Sequence, residues 1–209
     1  MSPLSIIIIC TFSFFALVGV ALFLAPILKS WSFRRNYVKI FGKFVYHIAL
    51  YKDYFLINRL HLPLDNERKL HLDHVLFGER YIYAIKDKYY AGAISGKEND
   101  ESWLFFPDNS KKSIYIDNPL KINRQRIQKL ALFTGLDEDL FVSIILVNND
   151  CLLDKFESQS KRDYVIPVSK LEKLVAAIES RSVPKINQEQ LEQAVQDLNK
   201  KNKGIEVES

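Results

Sequence analysis

Three charged side chains with the spacing of a candidate active site lie on two neighbouring predicted strands. Two apolar runs joined by a tight turn at Gly78–Arg80 predict a β-hairpin over residues 72–88. Asp73 falls on the first strand, and Lys86 and Lys88 share one face of the second because side chains alternate along a strand. One carboxylate facing two ammonium groups leaves a formal charge of +1, which repels a metal cation.

This hairpin resembles the centre of the NERD (nuclease-related) domain, a branch of the PD-(D/E)xK nuclease superfamily whose site combines an Asp, a Glu and a Lys. Asp73 and Lys88 match the Asp and the Lys, but Lys86 stands at the position of the Glu. Asp87 cannot replace that acid because its side chain points to the opposite face of the strand. No [Asp/Glu]-x-Lys triplet within residues 84–90 allows a shift by one residue.

The resemblance covers residues 42–150. Two further segments match the family in order and spacing: Gly92–Gly96 with Trp103, and Asn118-Pro119 with the predicted helix that follows. Two positions depart from it. Ile122 stands where the family has a glutamine, and Gly42-Lys43 lacks the acid of the family's Gly-Glu pair.

The resemblance implies an α/β protein with a restriction-endonuclease-like core, a small mixed sheet flanked by helices. It also implies phosphodiester hydrolysis, in which a divalent metal held by carboxylates activates water. Magnesium usually requires one or two carboxylates. Because Lys86 removes one of them, we expect Asp73 and Lys88 to be vestigial catalytic residues, with no metal and no cofactor. We expect Asp73 to pair with Lys86 or Lys88.

Cations on the hairpin and on the following helix are the candidate nucleic-acid contacts: Lys86, Lys121, Arg124 and Arg126. Lysine and arginine bind phosphates without reading sequence. Lys121 and Arg124 share a helix face with Gln128, which is also consistent with an ordinary solvated face. Arg126 lies one turn after Ile122, so it either pairs with Asp73 or faces a ligand.

Neither histidines nor cysteines predict a metal site. His71 and His74 point to opposite faces of a strand. Cys10 and Cys151 are too few for a zinc cluster and are not expected to form a disulfide.

Residues 4–28 contain no charged side chain, which predicts an uncleaved transmembrane helix. The chain then carries Lys29, Arg34, Arg35, Lys39 and Lys43 without an acid. Because basic residues stay on the cytoplasmic side, we expect the N-terminus outside and the globular part in the cytoplasm, with the membrane as a partner.

Hydrophobic periodicity predicts these elements: helices over 36–50, 121–134, 168–180 and 187–199, strands over 55–62, 70–77, 81–88, 142–147 and 164–168, and a β-rich segment over 92–116. The predicted division is 1–35 for the membrane helix and basic segment, 36–150 for the nuclease-related domain, 151–199 for a C-terminal strand and helices, and 200–209 for a flexible tail.

Three functions fit the sequence. The first is a membrane-anchored, nuclease-inactive protein that binds nucleic acid or acts as a scaffold. The second is an active nuclease that uses magnesium and a relocated acid such as Glu79 or Glu98. The third is a structural membrane protein that mediates protein contacts. An acid within reach of Asp73 favours the second function, a basic groove the first, and a large exposed apolar patch the third.

Overall fold

A computed structural model describes residues 3–63, 69–153 and 160–206, with the backbone alone for residues 3–14, 26, 29, 30, 69 and 203–206. The chain divides into two compact units, Met1–Ile40 and Phe41–Ser209. The described helices are α1 (Pro3–Lys52), α2 (Pro119–Thr134), α3 (Leu171–Glu179) and α4 (Gln188–Glu206). The described strands are β1 (Phe55–Pro63), β2 (Lys69–Phe77), β3 (Ile82–Lys88), β4 (Gly92–Ser95), β5 (Ser102–Pro107), β6 (Ile114–Asp117), β7 (Phe141–Val147), β8 (Leu152–Leu153) and β9 (Asp163–Pro167).

The larger sheet is mixed and has the strand order β1-β2-β3-β7-β9. Strands β1, β2 and β3 are antiparallel neighbours, whereas β3, β7 and β9 run parallel. Every residue of β7 is buried, as expected for a parallel strand between two others with apolar side chains on both faces. The register of β2 and β3 pairs His74 with Ile85, which places Asp73 across from Lys86.

The smaller sheet has the strand order β6-β5-β4-β8. Two glycines allow its close packing: Gly92, the first residue of β4, and Gly96, which directly follows β4. Gly92 has a φ of 143°, and a Cβ there would lie 2.1 Å from the Phe106 carbonyl oxygen. At Gly96 a Cβ would lie 2.2 Å from the Trp103 ring, so only glycine lets that buried indole pack against the chain. The spacing of these glycines and the tryptophan therefore has a packing cause.

Helices α2 and α4 cover the larger sheet and enclose its main core. Leu130 of α2 and Leu198 of α4 are fully buried in one cluster with Leu72 and Ile82 of the strands. Within the second unit, the end of α1 buries four apolar side chains on one face: Phe41, Val45, Ile48 and Ala49.

The predicted mixed α/β architecture is confirmed, including the hairpin of β2 and β3 and the helix packed over the sheet. Three features differ from the prediction. Residues 36–50 are part of α1, α4 continues through Glu206 into the predicted tail, and β8 was not predicted. Strand β8 is only two residues long, which is too short for a periodic signal.

Among the described residues, no helix has both the length and the apolar character needed to cross a bilayer. The transmembrane helix expected over residues 4–28 is therefore not supported. For residues 4–14 of that run, the structure describes the backbone but not the side chains. The part from Phe15 to Leu28 is shorter than the roughly 20 residues that a span requires.

Candidate functional site

Asp73 is the centre of the site, and the side chain bound to it is Lys86. The Lys86 ammonium lies 2.9 Å from Oδ1 and 2.8 Å from Oδ2 of Asp73. Only 8 % of Asp73 is exposed. The expected pairing is therefore present, and Lys86, rather than Lys88, makes it.

Two further groups hold the Asp73 carboxylate. The backbone N–H of Asp87 donates to Oδ2 at 2.9 Å, and His71 Nε2 lies 3.0 Å from Oδ1. Burial alone raises the pKa of Asp73, but the bonds from Lys86 and from the Asp87 N–H outweigh it and hold this pKa below its usual value. The carboxylate is thus charged and bonded on both oxygens.

His71 is a member of the site that the sequence did not indicate. It faces His61 of the adjacent strand, with ring centroids 4.4 Å apart. Burial and the nearby Lys86 charge lower the pKa of His71 despite the opposing effect of Asp73. His71 is consequently neutral near neutral pH. Only its contact with Asp73 distinguishes it from an ordinary strand histidine, and that contact depends on the fold.

Lys88 and Arg126 are half-buried cations beside this pair. Among the described residues, neither makes a hydrogen bond or an ion pair. Burial lowers the pKa of Lys88, and the charges of Lys86 and Arg126 lower it further. Burial also lowers the pKa of Arg126, while the Asp73 charge opposes this. The charges of Lys86 and Arg126 thus disfavour that of Lys88, and no ion pair compensates Lys88 or Arg126 within the described residues.

Asn118 begins α2, the helix that presents Arg126. Its side-chain oxygen accepts from the N–H groups of Leu120 and Lys121, and its amide donates to the carbonyls of Glu98 at 3.0 Å and Asp100 at 2.8 Å. Asn118 therefore caps the helix and fastens it to the preceding loop.

Asn123 fixes the same helix to the larger sheet. It is fully buried, and its amide donates to the Ala84 carbonyl and to Ser143 Oγ, both at 2.9 Å. Arg126 follows Asn123 by three residues, and Lys86 follows Ala84 by two. Asn123 thus fixes α2 against β3 and β7, and from this helix the Arg126 charge acts on Lys88 and is itself acted on by Asp73.

A second, separate cluster involves the neighbours of Asp73 and Lys86 in sequence. His74 Nε2 lies 3.0 Å from Asp87 Oδ2, and His74 Nδ1 lies 2.7 Å from Asn58 Oδ1. Burial raises the pKa of Asp87, although His74 opposes this. As predicted, Asp87 does not replace the missing acid, because its carboxylate is bound to His74 and not directed at Lys86.

Two of the predicted nucleic-acid contacts, Lys121 and Arg124, are not among the cations around Asp73 and have protein partners. Lys121 pairs with the exposed Glu101. Arg124 pairs with two buried carboxylates, Glu98 and Asp163, the latter at 2.8 Å. The sequence could not indicate these partners when Arg124 was predicted as a nucleic-acid contact, because Asp163 lies 39 residues away along the chain.

The proposed replacement acids also have partners elsewhere. Glu79 pairs with Lys185 at 2.7 Å, and Glu98 pairs with Arg124. Neither is among the charges that act on Asp73. Among the residues that the structure describes, no ion pair or hydrogen bond thus brings Glu79 or Glu98 to Asp73.

These donors do not suit magnesium. Asp73 is the carboxylate in place, both of its oxygens accept hydrogen bonds, and its nearest neighbour is an ammonium group. Magnesium requires hard oxygen ligands, usually including one or two free carboxylates. Within the described parts of the chain, no group of three or more His, Cys, Asp or Glu side chains could hold a metal ion.

Fold and site together define a nuclease-related α/β domain with an altered centre. A family model described as NERD, nuclease-related domain, matches residues 42–148, and the chain belongs to that family. The NERD domain is in general a domain of the PD-(D/E)xK superfamily. Comparisons with curated proteins and with solved structures find no significant match.

Proposed function

We propose that this NERD-domain protein binds nucleic acid through phosphate contacts of Lys86, Lys88 and Arg126, with Asp73 holding Lys86 in place, and does not cleave it by the metal-dependent route. The carrying observation is the Lys86 ammonium bound to both oxygens of Asp73. Lys86 occupies the position of the metal-binding acid and neutralises the remaining carboxylate. The site therefore attracts the anionic substrate but not the cation that hydrolysis requires.

Burial supports the phosphate assignment. Lys88 and Arg126 are partly withdrawn from water, and the charges of both are disfavoured there. An anion placed between them would relieve that cost, because opposite charges nearby favour the ionised forms. Phosphate contacts of this kind position a nucleic acid without reading its sequence.

Binding and cleavage by the full chain test this function. We expect a labelled single-stranded oligonucleotide to bind in EDTA, and to stay intact with either magnesium or manganese. Arg126→Gln should weaken binding at least tenfold. Lys121→Gln, on the same helix but exposed and paired with Glu101, is the matched control and should change it less than twofold. Metal-dependent cleavage that Asp73→Ala abolishes would refute the inactive site.

The localisation proposal rests on the sequence. We propose attachment to the membrane through residues 4–28, with the domain in the cytoplasm. In support, large apolar side chains of this run are exposed, among them Leu22 and Phe23 at 70 and 71 %. A reporter fused after Ser209 should be active only in the cytoplasm, and the chain should resist carbonate extraction from membranes. Release by carbonate, or activity outside, would end this proposal.

A further inference from the structure

The site's donors and charge indicate which kind of phosphate it takes. We infer that the cluster of Lys86, Lys88 and Arg126 recognises a terminal phosphate, a phosphomonoester at a strand end, in preference to an internal phosphodiester. This inference rests on the proposed nucleic-acid binding and specifies its ligand.

The first argument is the hydrogen-bond inventory. An ammonium group carries three N–H donors and a guanidinium carries five. Lys86 directs its ammonium at the two oxygens of Asp73, which leaves one donor for a ligand. Lys88 and Arg126 have all of theirs available among the described contacts. Three cations can thus each donate to one oxygen, and a phosphomonoester presents three free oxygens.

The second argument is charge. Lys86, Lys88 and Arg126 together with Asp73 carry a formal charge of +2, because His71 is neutral. Asp87, which Lys86 also influences, is not counted because its carboxylate is bound to His74 on the other face of β3. Asp117, exposed at the end of β6, acts on Lys88 only at a distance and forms no ion pair with it. A phosphomonoester carries about −1.5 to −2 near neutral pH, since its second pKa is about 6. An internal diester phosphate carries a single charge and leaves one of these half-buried cations uncompensated.

The third argument is the role of Asp73. Its bonds hold Lys86 in one position beside the other two cations, so the donors are arranged before the ligand arrives. Preorganised charge-assisted bonds to a phosphate are the strong kind, and a guanidinium can bind it through two N–H groups at once.

The test compares two labelled single strands of the same sequence, one with a 5′-phosphate and one with a 5′-hydroxyl, on the full chain in EDTA. We expect the phosphorylated strand to bind at least tenfold tighter by fluorescence anisotropy, and inorganic phosphate to compete with it. Lys88→Gln and Arg126→Gln should each reduce the preference to within about twofold. Lys121→Gln should preserve it, and thermal unfolding should confirm that every variant is folded.

The alternative outcomes are distinct. If both strands bind equally and Arg126→Gln weakens both, the site contacts internal phosphates, so the proposed function stands and this inference fails. If neither strand binds, both fail. A preference that persists in folded Lys88→Gln and Arg126→Gln places end recognition elsewhere and also overturns the inference.

Discussion

At the scale of single residues, one side chain determines what the centre of this NERD domain can attract. A glutamate and a lysine differ by two charge units at the same strand position. Lys86 does for Asp73 electrostatically what a bound cation would do, since its ammonium contacts both carboxylate oxygens. The result is a charged Asp73 whose two oxygens both accept hydrogen bonds.

Restoring the acid should restore attraction for a metal. We expect Lys86→Glu to bind manganese at least tenfold more tightly than the unmodified chain, a difference of about 1.4 kcal/mol, by calorimetry. Nuclease activity need not follow, because Ile122 also replaces a family glutamine. Lys86→Gln is the control, since it removes the ammonium without adding a carboxylate. Equal manganese binding by the two variants, or tight binding by the unmodified chain, would contradict the electrostatic argument.

The Asp73 pairing should also show in the pH dependence of stability. The pKa of Asp73 is lower in the folded chain than its unfolded value of about 3.9. Its contribution is therefore fully present above that unfolded value and is lost as pH falls through the folded pKa. We expect the stability difference between the unmodified chain and Asp73→Asn, measured by denaturant unfolding, to shrink between about pH 7 and about pH 3. A difference independent of pH would argue against this pairing.

At the scale of helices and strands, periodic sequence patterns predicted the individual elements, but they could not predict contacts between residues far apart in the sequence. The hairpin and α2 have strong periodic signals, so Asp73, Lys86 and Lys88 could be placed on neighbouring strands and Arg126 on a helix. That this helix faces the hairpin was implied by the family resemblance alone. The helical wheel also assigned Lys121 and Arg124 to one face, but it could not show that Arg124 meets Glu98 and Asp163. Those partners come from β9 and a loop, and sequence spacing carries no information about such contacts.

Asn118 should be the most sensitive position at the start of α2. Asn118→Ala removes a helix cap, worth about 0.5–2 kcal/mol, and leaves two loop carbonyls without their donor, at about 1–3 kcal/mol more. We expect a total loss of about 2–4 kcal/mol in the free energy of unfolding. Asn118→Ser keeps a capping oxygen and should lose distinctly less. If serine and alanine destabilise equally, the cap does not contribute.

Arg124 should be a stability residue and not a ligand contact. Arg124→Ala leaves Glu98 and Asp163 buried without their cation, and breaking a fully buried pair costs about 3–5 kcal/mol. Because 31 % of the Arg124 side chain is exposed, we expect less, about 2–3 kcal/mol. Lys121→Ala breaks an exposed pair on the same helix and should cost about 0–1 kcal/mol. An Arg124→Ala chain that is as stable as the parent but loses oligonucleotide binding would reverse this assignment.

At the scale of the whole molecule, the net charge of +4 is modest, so general attraction for nucleic acid is weak. The basic residues after the N-terminal apolar run lie mostly in the first compact unit, Met1–Ile40, whereas the candidate site lies in the second. Two sources of positive charge can therefore be separated by experiment. One is a solvated flank that includes the exposed Lys39, and the other is the half-buried cluster around Asp73.

The salt dependence of binding distinguishes these sources. For single strands the slope of log K against log salt concentration is about −0.7 for each phosphate charge neutralised, so the net charge of +2 of the cluster predicts a slope of about −1.4. Arg126→Gln should reduce its magnitude by about 0.7 along with the affinity. Lys39→Gln should leave the slope and the affinity nearly unchanged, because an exposed flank that does not contact the oligonucleotide releases no counterions from it. Titrations of the full chain from about 50 to about 300 mM salt measure these slopes. A steeper slope that Lys39→Gln lowers and Arg126→Gln does not would place the binding on the flank.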